Sequence, residues 1–321
     1  MRRRSRGGLQ GLLRVGPGLD GDQGLSATAQ APRRSVGRRS ADLLHGRRRT
    51  QVGLLLAGPL GWLVVAYLGS LAVLFVAAFW QLDTFTGQIV HEYSFSNFQT
   101  LWENDVYRQI VLRTVGIAAA VTVTDAIIAF PIAFYMAKVA SPRARAALAV
   151  AVLMPLWASY LVKVYAWRTI LAEDGILNWL LDPFGISRPG KGVIATWLVF
   201  SYLWLPYMIL PIYAGLERIP NSLVDASGDL GGRPGMTFRR VILPLAFPAV
   251  VAGSIFTFSL TLGDYITPQL VSSKQFIGNV VYANVGVANN LPLAAAFATV
   301  PVVVMVLYLL VARRLGAFEQ L

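Results

Sequence analysis

Six stretches of this chain are each long and apolar enough to cross a lipid bilayer as a helix, and no other feature constrains the fold as tightly. They run from Gly53 to Trp80, Ile110 to Ala137, Ala146 to Ile170, Val193 to Leu216, Leu245 to Ile266 and Leu291 to Ala312. A bilayer core takes about 20 apolar residues in helical form, because lipid offers irregular backbone no hydrogen-bond partners. Composition agrees: 55% of the 321 residues are hydrophobic and 14% are charged, against about 25% charged in soluble domains. The expected fold is all-α and integral to the membrane, with six transmembrane helices. Pro59, Pro131, Pro155, Pro206, Pro211, Pro248 and Pro301 fall in or at the edges of these stretches, which membrane helices tolerate when neighbours re-satisfy the freed backbone.

The net charge of +12 is unevenly spread. Residues 1–50 hold twelve Arg against Asp20, Asp22 and Asp42, a local excess of +9 that leaves +3 for the remainder. This segment is rich in Gly, Ser and Ala without apolar periodicity, so it reads as a disordered basic tail preceding a permeation domain over residues 51–321. It has no aromatic interleaving or folded motif suited to nucleic acid, and no apolar run suited to a signal peptide. Positively charged loops stay cytoplasmic. With the N-terminus inside, the inner segments carry the twelve tail arginines, then Lys138, Arg143 and Arg145, then Arg218, Arg233, Arg239 and Arg240, then Arg313 and Arg314. The outer loops carry only Arg188, Lys191 and Lys274. Both termini are therefore expected in the cytoplasm. The first outer loop is acidic and aromatic, with Asp83, Glu92, Glu103 and Asp105, and the second holds Glu173, Asp174 and Asp182.

Catalytic chemistry finds little purchase. There is no cysteine, and the two histidines are His45 and His91, so thiolate sites, histidine metal clusters and cysteine nucleophiles are not expected. Gly185-Ile186-Ser187-Arg188-Pro189-Gly190-Lys191 imitates a phosphate-binding loop, but Gly192 stands where magnesium coordination needs Ser or Thr, and no strand precedes it. It reads as a turn. No catalytic residue, metal or cofactor is expected, and any nucleotide chemistry belongs to a partner.

The longest inner loop, about residues 217–244, has more internal design. Ser222 followed by Asp225 predicts a capped helix start, Leu223, Val224 and Leu230 supply an apolar stripe, and Gly231-Gly232 supplies a stop. Arg233-Pro234 then starts a second helix with Pro in its first turn. Apolar groups on a preorganised elbow outside the lipid predict a docking surface.

The spacing Asp225-Ala226-Ser227, three residues, Gly231, nine residues, Val241, one residue, Leu243-Pro244 resembles the signature loop of binding-protein-dependent ABC importer permeases. That family typically shows Glu-Ala-Ala, Gly and Ile-x-Leu-Pro, so Asp225 and Ser227 are departures. The resemblance covers residues from about 50 to 321. It implies the type I importer permease fold in a bacterial inner membrane, with Asp225, Ala226, Ser227, Gly231, Leu243 and Pro244 forming a coupling helix. It also implies three kinds of partner: a cytoplasmic ATP-binding subunit dimer, a second permease of different sequence, and a periplasmic or lipid-anchored solute-binding protein. Three stretches, Phe130–Tyr135, Pro155–Trp167 and Thr261–Pro268, resemble the spermidine/putrescine branch, which implies a polyamine cargo. Branches importing opines, ferric iron or inorganic anions share parts of that wording. An ion-coupled secondary carrier is the rival class, and no internal repeat supports it.

Five residues are pathway candidates. Asp125 lies deep in the second stretch, where a carboxylate needs a partner or a polar pathway. Counting about 1.5 Å per residue from the inner ends puts Lys163 within about 6 Å of its depth, so an Asp125–Lys163 pair and a lining role are both open. Asp264 beside Tyr265 offers charge and a ring face to an ammonium group, or a helix end. Trp167, with Tyr165 and Arg168, sits where aromatic residues line the membrane interface.

Overall fold

The computed structural model describes residues 48–83, 85–185 and 190–314. The chain divides into two units, Met1–Leu63 and Val64–Leu321. Of the first, the described part is helix α1 (Arg48–Leu63). The basic tail expected over residues 1–50 lies outside the described residues save for the first turn of α1, as does most of the phosphate-loop imitation, residues 186–189.

The second unit is helical with one small hairpin. After a π-helical turn come α2 (Gly69–Ala77), strands β1 (Gln81–Leu82) and β2 (Ile89–Val90), and the short α3 (Ser96–Glu103). The strands pair antiparallel, Gln81 with Val90 and Leu82 with Ile89. Helix α4 (Asp105–Phe134) follows, capped by the Asn104 side chain on the Val106 amide. Then come α5 (Pro142–Trp157), α6 (Tyr160–Ile170), α7 (Ile176–Leu181), α8 (Val193–Arg218), α9 (Asn221–Asp229), α10 (Pro234–Thr237), α11 (Leu243–Gly263), α12 (Ile266–Val271), α13 (Ile277–Gly286) and α14 (Leu291–Arg314).

Among the described residues, five helical runs are long and apolar enough to span a bilayer: Leu55–Ala77, Asp105–Val139, Val193–Arg218, Pro234–Gly263 and Leu291–Arg314. A sixth is formed only if α5 and α6 count together, because they bend by 93° at Ala158–Ser159. The sequence predicts one spanning stretch from Ala146 to Ile170, and the structure forms it as this bent pair. Pro155 withdraws a backbone donor from the last turn of α5, and Ala158 and Ser159 both adopt extended dihedrals. The fifth stretch is present as a spanning helix with shifted ends. It ends at Gly263 rather than Ile266, since Asp264 is extended and a new helix starts at Ile266. At its other end α11 continues back through a π-helical turn into α10, giving one 30-residue rod.

Helices α4, α8 and α11 form the central core. Ala129, Ala133, Met136, Met208, Ile212, Leu216 and Ala246 are buried together at the end nearer α9. Close approach depends on small residues, as it does between membrane helices generally. A Cβ on Gly215 would stand 2.3 Å from the Ala249 Cβ, and one on Gly253 would stand 2.8 Å from the Met208 sulfur. Val121, Val164, Leu171, Val199, Phe200, Leu203 and Val271 make a second buried cluster towards the opposite end, drawing α6 and α12 onto α4 and α8. Large apolar side chains such as Leu112, Ile127, Val306 and Leu310 face outward, as a lipid solvent requires.

Candidate functional site

The elbow between α8 and α11 is built from its own short-range bonds. Ile219 and Pro220 leave α8 in extended conformation, and α9 begins at Asn221. The capping box predicted from Ser222 and Asp225 does not form. Pro220, at φ −64° and ψ 139°, takes the capping position without a side-chain bond, so Ser222 already lies inside the helix and Asp225 lies beyond reach of the free amides. The predicted stop is present. Gly231 adopts φ +79°, the Gly231 amide donates to the Gly228 carbonyl and the Gly232 amide to the Ser227 carbonyl, both at 2.8 Å. This pair of bonds is the Schellman closure of a helix C-terminus.

Ser227, one of the two departures from the family pattern, acquires a physical role here. Its hydroxyl hydrogen-bonds the Thr237 hydroxyl at 2.8 Å, fastening α9 to α10, and Thr237 is buried. Phe238, next in the chain, meets Phe130 and Phe134 of α4 edge-on at 5.6 and 6.1 Å. Val224 packs inward against the core. Leu223, Met236 and Leu230 instead face outward, Leu230 at 88% exposure. Asp225 and Ala226 are exposed beside them, and Leu243 and Pro244 begin α11.

Two cations that sequence counting treated only as topology charges anchor the elbow's base. The Lys138 ammonium donates to the Ile219 carbonyl at 2.5 Å and to Asn221 Oδ1 at 3.3 Å. The Arg145 guanidinium donates to the Met136 and Ala137 carbonyls at 3.0 and 3.3 Å and lies 3.5 Å from Glu217. Both sit where helix C-terminal carbonyls concentrate negative charge. Their only signal in the sequence was position, just after one apolar stretch.

The pathway candidates separate into two groups. Asp125 is fully buried, and the polar side chain facing its carboxyl is that of Ser201 on α8. Lys163 does not pair with it: the two ion pairs among the described residues are Arg108–Asp105 and Arg145–Glu217. Depth counting fails because α5 and α6 are not one straight helix. Asp264 is the opposite case. Its Oδ1 accepts from the Ile266 and Thr267 amides at 2.8 and 3.2 Å, and its Oδ2 accepts from the Thr267 hydroxyl at 2.8 Å and from the Tyr160 phenol. The carboxylate caps α12 and reaches across to α6. Tyr265 stacks on Tyr282 at 4.9 Å, away from that carboxylate. Trp167 meets Tyr202 at 5.4 Å, and Trp204 stacks on Tyr160 at 6.0 Å. Tyr160 and Thr267 occur in the branch-like stretches but carried no predicted role.

The comparisons with known proteins agree with this architecture. Residues 119–318 match the family described as binding-protein-dependent transport system inner membrane component. The inner membrane ABC transporter permease YdcU of Escherichia coli is 48% identical over 284 residues, covering 84% of this chain and 90% of that protein. The spermidine/putrescine transport system permease PotB of Haemophilus influenzae is 32% identical over 221 residues, covering 67% and 77%. Among solved structures, a bacterial alginate ABC transporter in complex with alginate pentasaccharide-bound periplasmic protein is similar at TM-score 0.66, covering 85% of this chain and 96% of that chain at 16% identity. The methionine ABC transporter MetNI in inward-facing form is similar at TM-score 0.53, covering 67% and 95% at 17% identity. Family match, relatives and fold converge: this chain belongs to the binding-protein-dependent transport system inner membrane components, and is a multi-pass inner membrane permease subunit of an ABC importer.

Proposed function

We propose that this permease imports a small polyamine of the spermidine/putrescine type, handed over by an extracytoplasmic solute-binding protein, and that the elbow Asp225–Gly231 seats on a cytoplasmic ATP-binding subunit. The elbow's outward Leu230 carries the docking half of the proposal. A rigid turn that holds a leucine in water serves a partner, since covering that side chain is worth about 1.5–3 kcal/mol. The lysine and arginine bias puts the elbow and both termini in the cytoplasm, with residues 1–50 as a basic tail beside the permease domain of residues 51–321. ATP hydrolysis belongs to the ATP-binding dimer, and a second, different permease supplies the other elbow. Each elbow meets one ATP-binding subunit.

The cargo half rests on the similarity to the spermidine/putrescine permease PotB. The chemistry is compatible: Asp264 is bonded to Tyr160, whose ring stacks on Trp204, Trp167 meets Tyr202, Tyr265 stacks separately on Tyr282, and ring faces attract ammonium groups. Asp125, buried at the core, and Lys163, partly exposed on α6, are two charges within the spans that would attract or repel a polyamine. Proteoliposomes holding both permeases, the ATP-binding dimer and the binding protein test both halves. Radiolabelled putrescine uptake that requires ATP hydrolysis is the expected result. ATP-driven uptake of an opine, ferric iron or an inorganic anion in its place would overturn the cargo, and uptake indifferent to ATP would overturn the docking.

A further inference from the structure

Two broken helices meet at one carboxylate. The α5–α6 break ends at Ser159, and Tyr160 is the first residue of α6. The α11–α12 break consists of Asp264 and Tyr265. The Tyr160 phenol donates to Asp264 Oδ2 and also lies 2.7 Å from the Thr267 hydroxyl. Trp204 of α8 holds the Tyr160 ring by stacking, with the ring planes 12° apart. Thr267 is fully buried, so this junction is part of the fold and not a surface accident.

The other end of the same rod is the elbow. From Pro234 to Gly263 the helix runs for 30 residues through the π-helical turn Phe238–Ile242, a length of about 45 Å. Its first turn is fastened to α9 through Thr237 and Ser227. Its last residue adjoins Asp264. A displacement at the elbow therefore reaches Asp264 through a stiff element, and the only question is what Asp264 is tied to. Bonds from a hydroxyl to a carboxylate are among the stronger hydrogen bonds available. Such contiguous packed and bonded contacts are what carry coupling between distant sites.

We infer that Tyr160 is a positioning residue for transport: its phenol latches α6 to the far end of the elbow's rod, so that ATP-driven movement of the elbow carries the α5–α6 break with it. The inference rests on the elbow reading. The native chain has no cysteine, which permits clean labelling. In the complete importer in nanodiscs, spin labels at Ala166→Cys and Gln269→Cys report the α6–α12 separation, with and without vanadate-trapped ATP. A third label, at Ser222→Cys on the exposed face of α9, paired with one on the ATP-binding subunit, reports the elbow. The native chain is expected to move its elbow on trapping while the Ala166–Gln269 separation stays single and constant. Tyr160→Phe keeps the ring and its stacking but removes the latch. It is expected to raise the separated α6–α12 population about tenfold in the trapped state, the change that loss of one charge-assisted hydrogen bond produces. Asp264→Asn should give the same shift, and the double variant should add nothing further. A Tyr160→Phe distribution matching the native one in both states, in a complex whose elbow moves, would overturn the latch alone. A native complex whose elbow does not respond to ATP would overturn the elbow reading and the latch with it. No cargo is needed, so neither outcome depends on the polyamine assignment.

Discussion

The two ends of the α10–α11 rod solve opposite problems with similar parts. At the elbow, short-range bonds among Ser227, Thr237, Gly231 and Gly232 use up the polar groups, leaving Leu223, Leu230 and Met236 outward. At the far end, Asp264, Tyr160 and Thr267 turn their polar atoms on one another, and apolar residues such as Val164 and Val271 are buried beneath. The first end is shaped to be completed by something else. The second is complete in itself.

Variants should break the comparison unequally. Asp225→Lys and Leu230→Glu attack what the elbow presents without touching its internal bonds. Each should lower affinity for the ATP-binding subunit by tenfold or more, on the order of the 1.5–3 kcal/mol of one buried leucine, as measured by co-purification and titration. Membrane insertion and the thermal unfolding of the permease should be unchanged. Gly231→Val attacks the scaffold, since φ +79° costs a branched residue about 1–2 kcal/mol. Hydrogen exchange should quicken over residues 221–237 and stay native over residues 160–171 and 264–271. Ser227→Ala removes only the hydroxyl bond to Thr237, worth about 0.5–1.5 kcal/mol, and restores the residue typical of the family. A small loss of stability with transport retained is expected.

The smallest effect belongs to the hairpin between β1 and β2. Asp83 accepts from the Phe85 amide at 2.8 Å and the Thr86 hydroxyl at 2.9 Å, and these bonds hold its carboxyl below the ordinary value of 3.8. A lowered folded value means that the bonds' contribution is present above the ordinary carboxylate range and fades as pH falls through the folded one. Amide exchange at Phe85 and Thr86 should therefore be insensitive to pH, after correction for intrinsic rates, down to about pH 4 and should rise only below it. Asp83→Asn should remove that acid dependence.

Much of the fold was legible in the apolar stretches, because lipid permits few alternatives to a spanning helix. Five of the six, together with the elbow's stop at Gly231 and restart at Pro234, follow from residue types whose conformational preferences are local. The bend at Ala158–Ser159 has a local mark in Pro155, which an apolar count passes over. The end of the rod at Gly263 coincides with the Tyr160–Asp264 junction, and an apolar run shows no trace of that contact. The Asp125–Lys163 pairing failed with the straight helix that it assumed. The capping box failed for a smaller reason: Pro220 takes the entry position ahead of Ser222. The roles of Lys138 and Arg145 were illegible because a carbonyl acceptor has no signature in a sequence.

The central claim is that the elbow's outward face meets the ATP-binding subunit. Since the chain has no cysteine of its own, Leu230→Cys provides a single reactive position, and Phe85→Cys on the hairpin, 99% exposed, is the matched control. In the assembled importer, a short thiol crosslinker should join Leu230→Cys to the ATP-binding subunit and leave Phe85→Cys unjoined to it. An assembled, ATP-hydrolysing complex in which Leu230→Cys never crosslinks to that subunit, or in which Phe85→Cys does, would contradict the account.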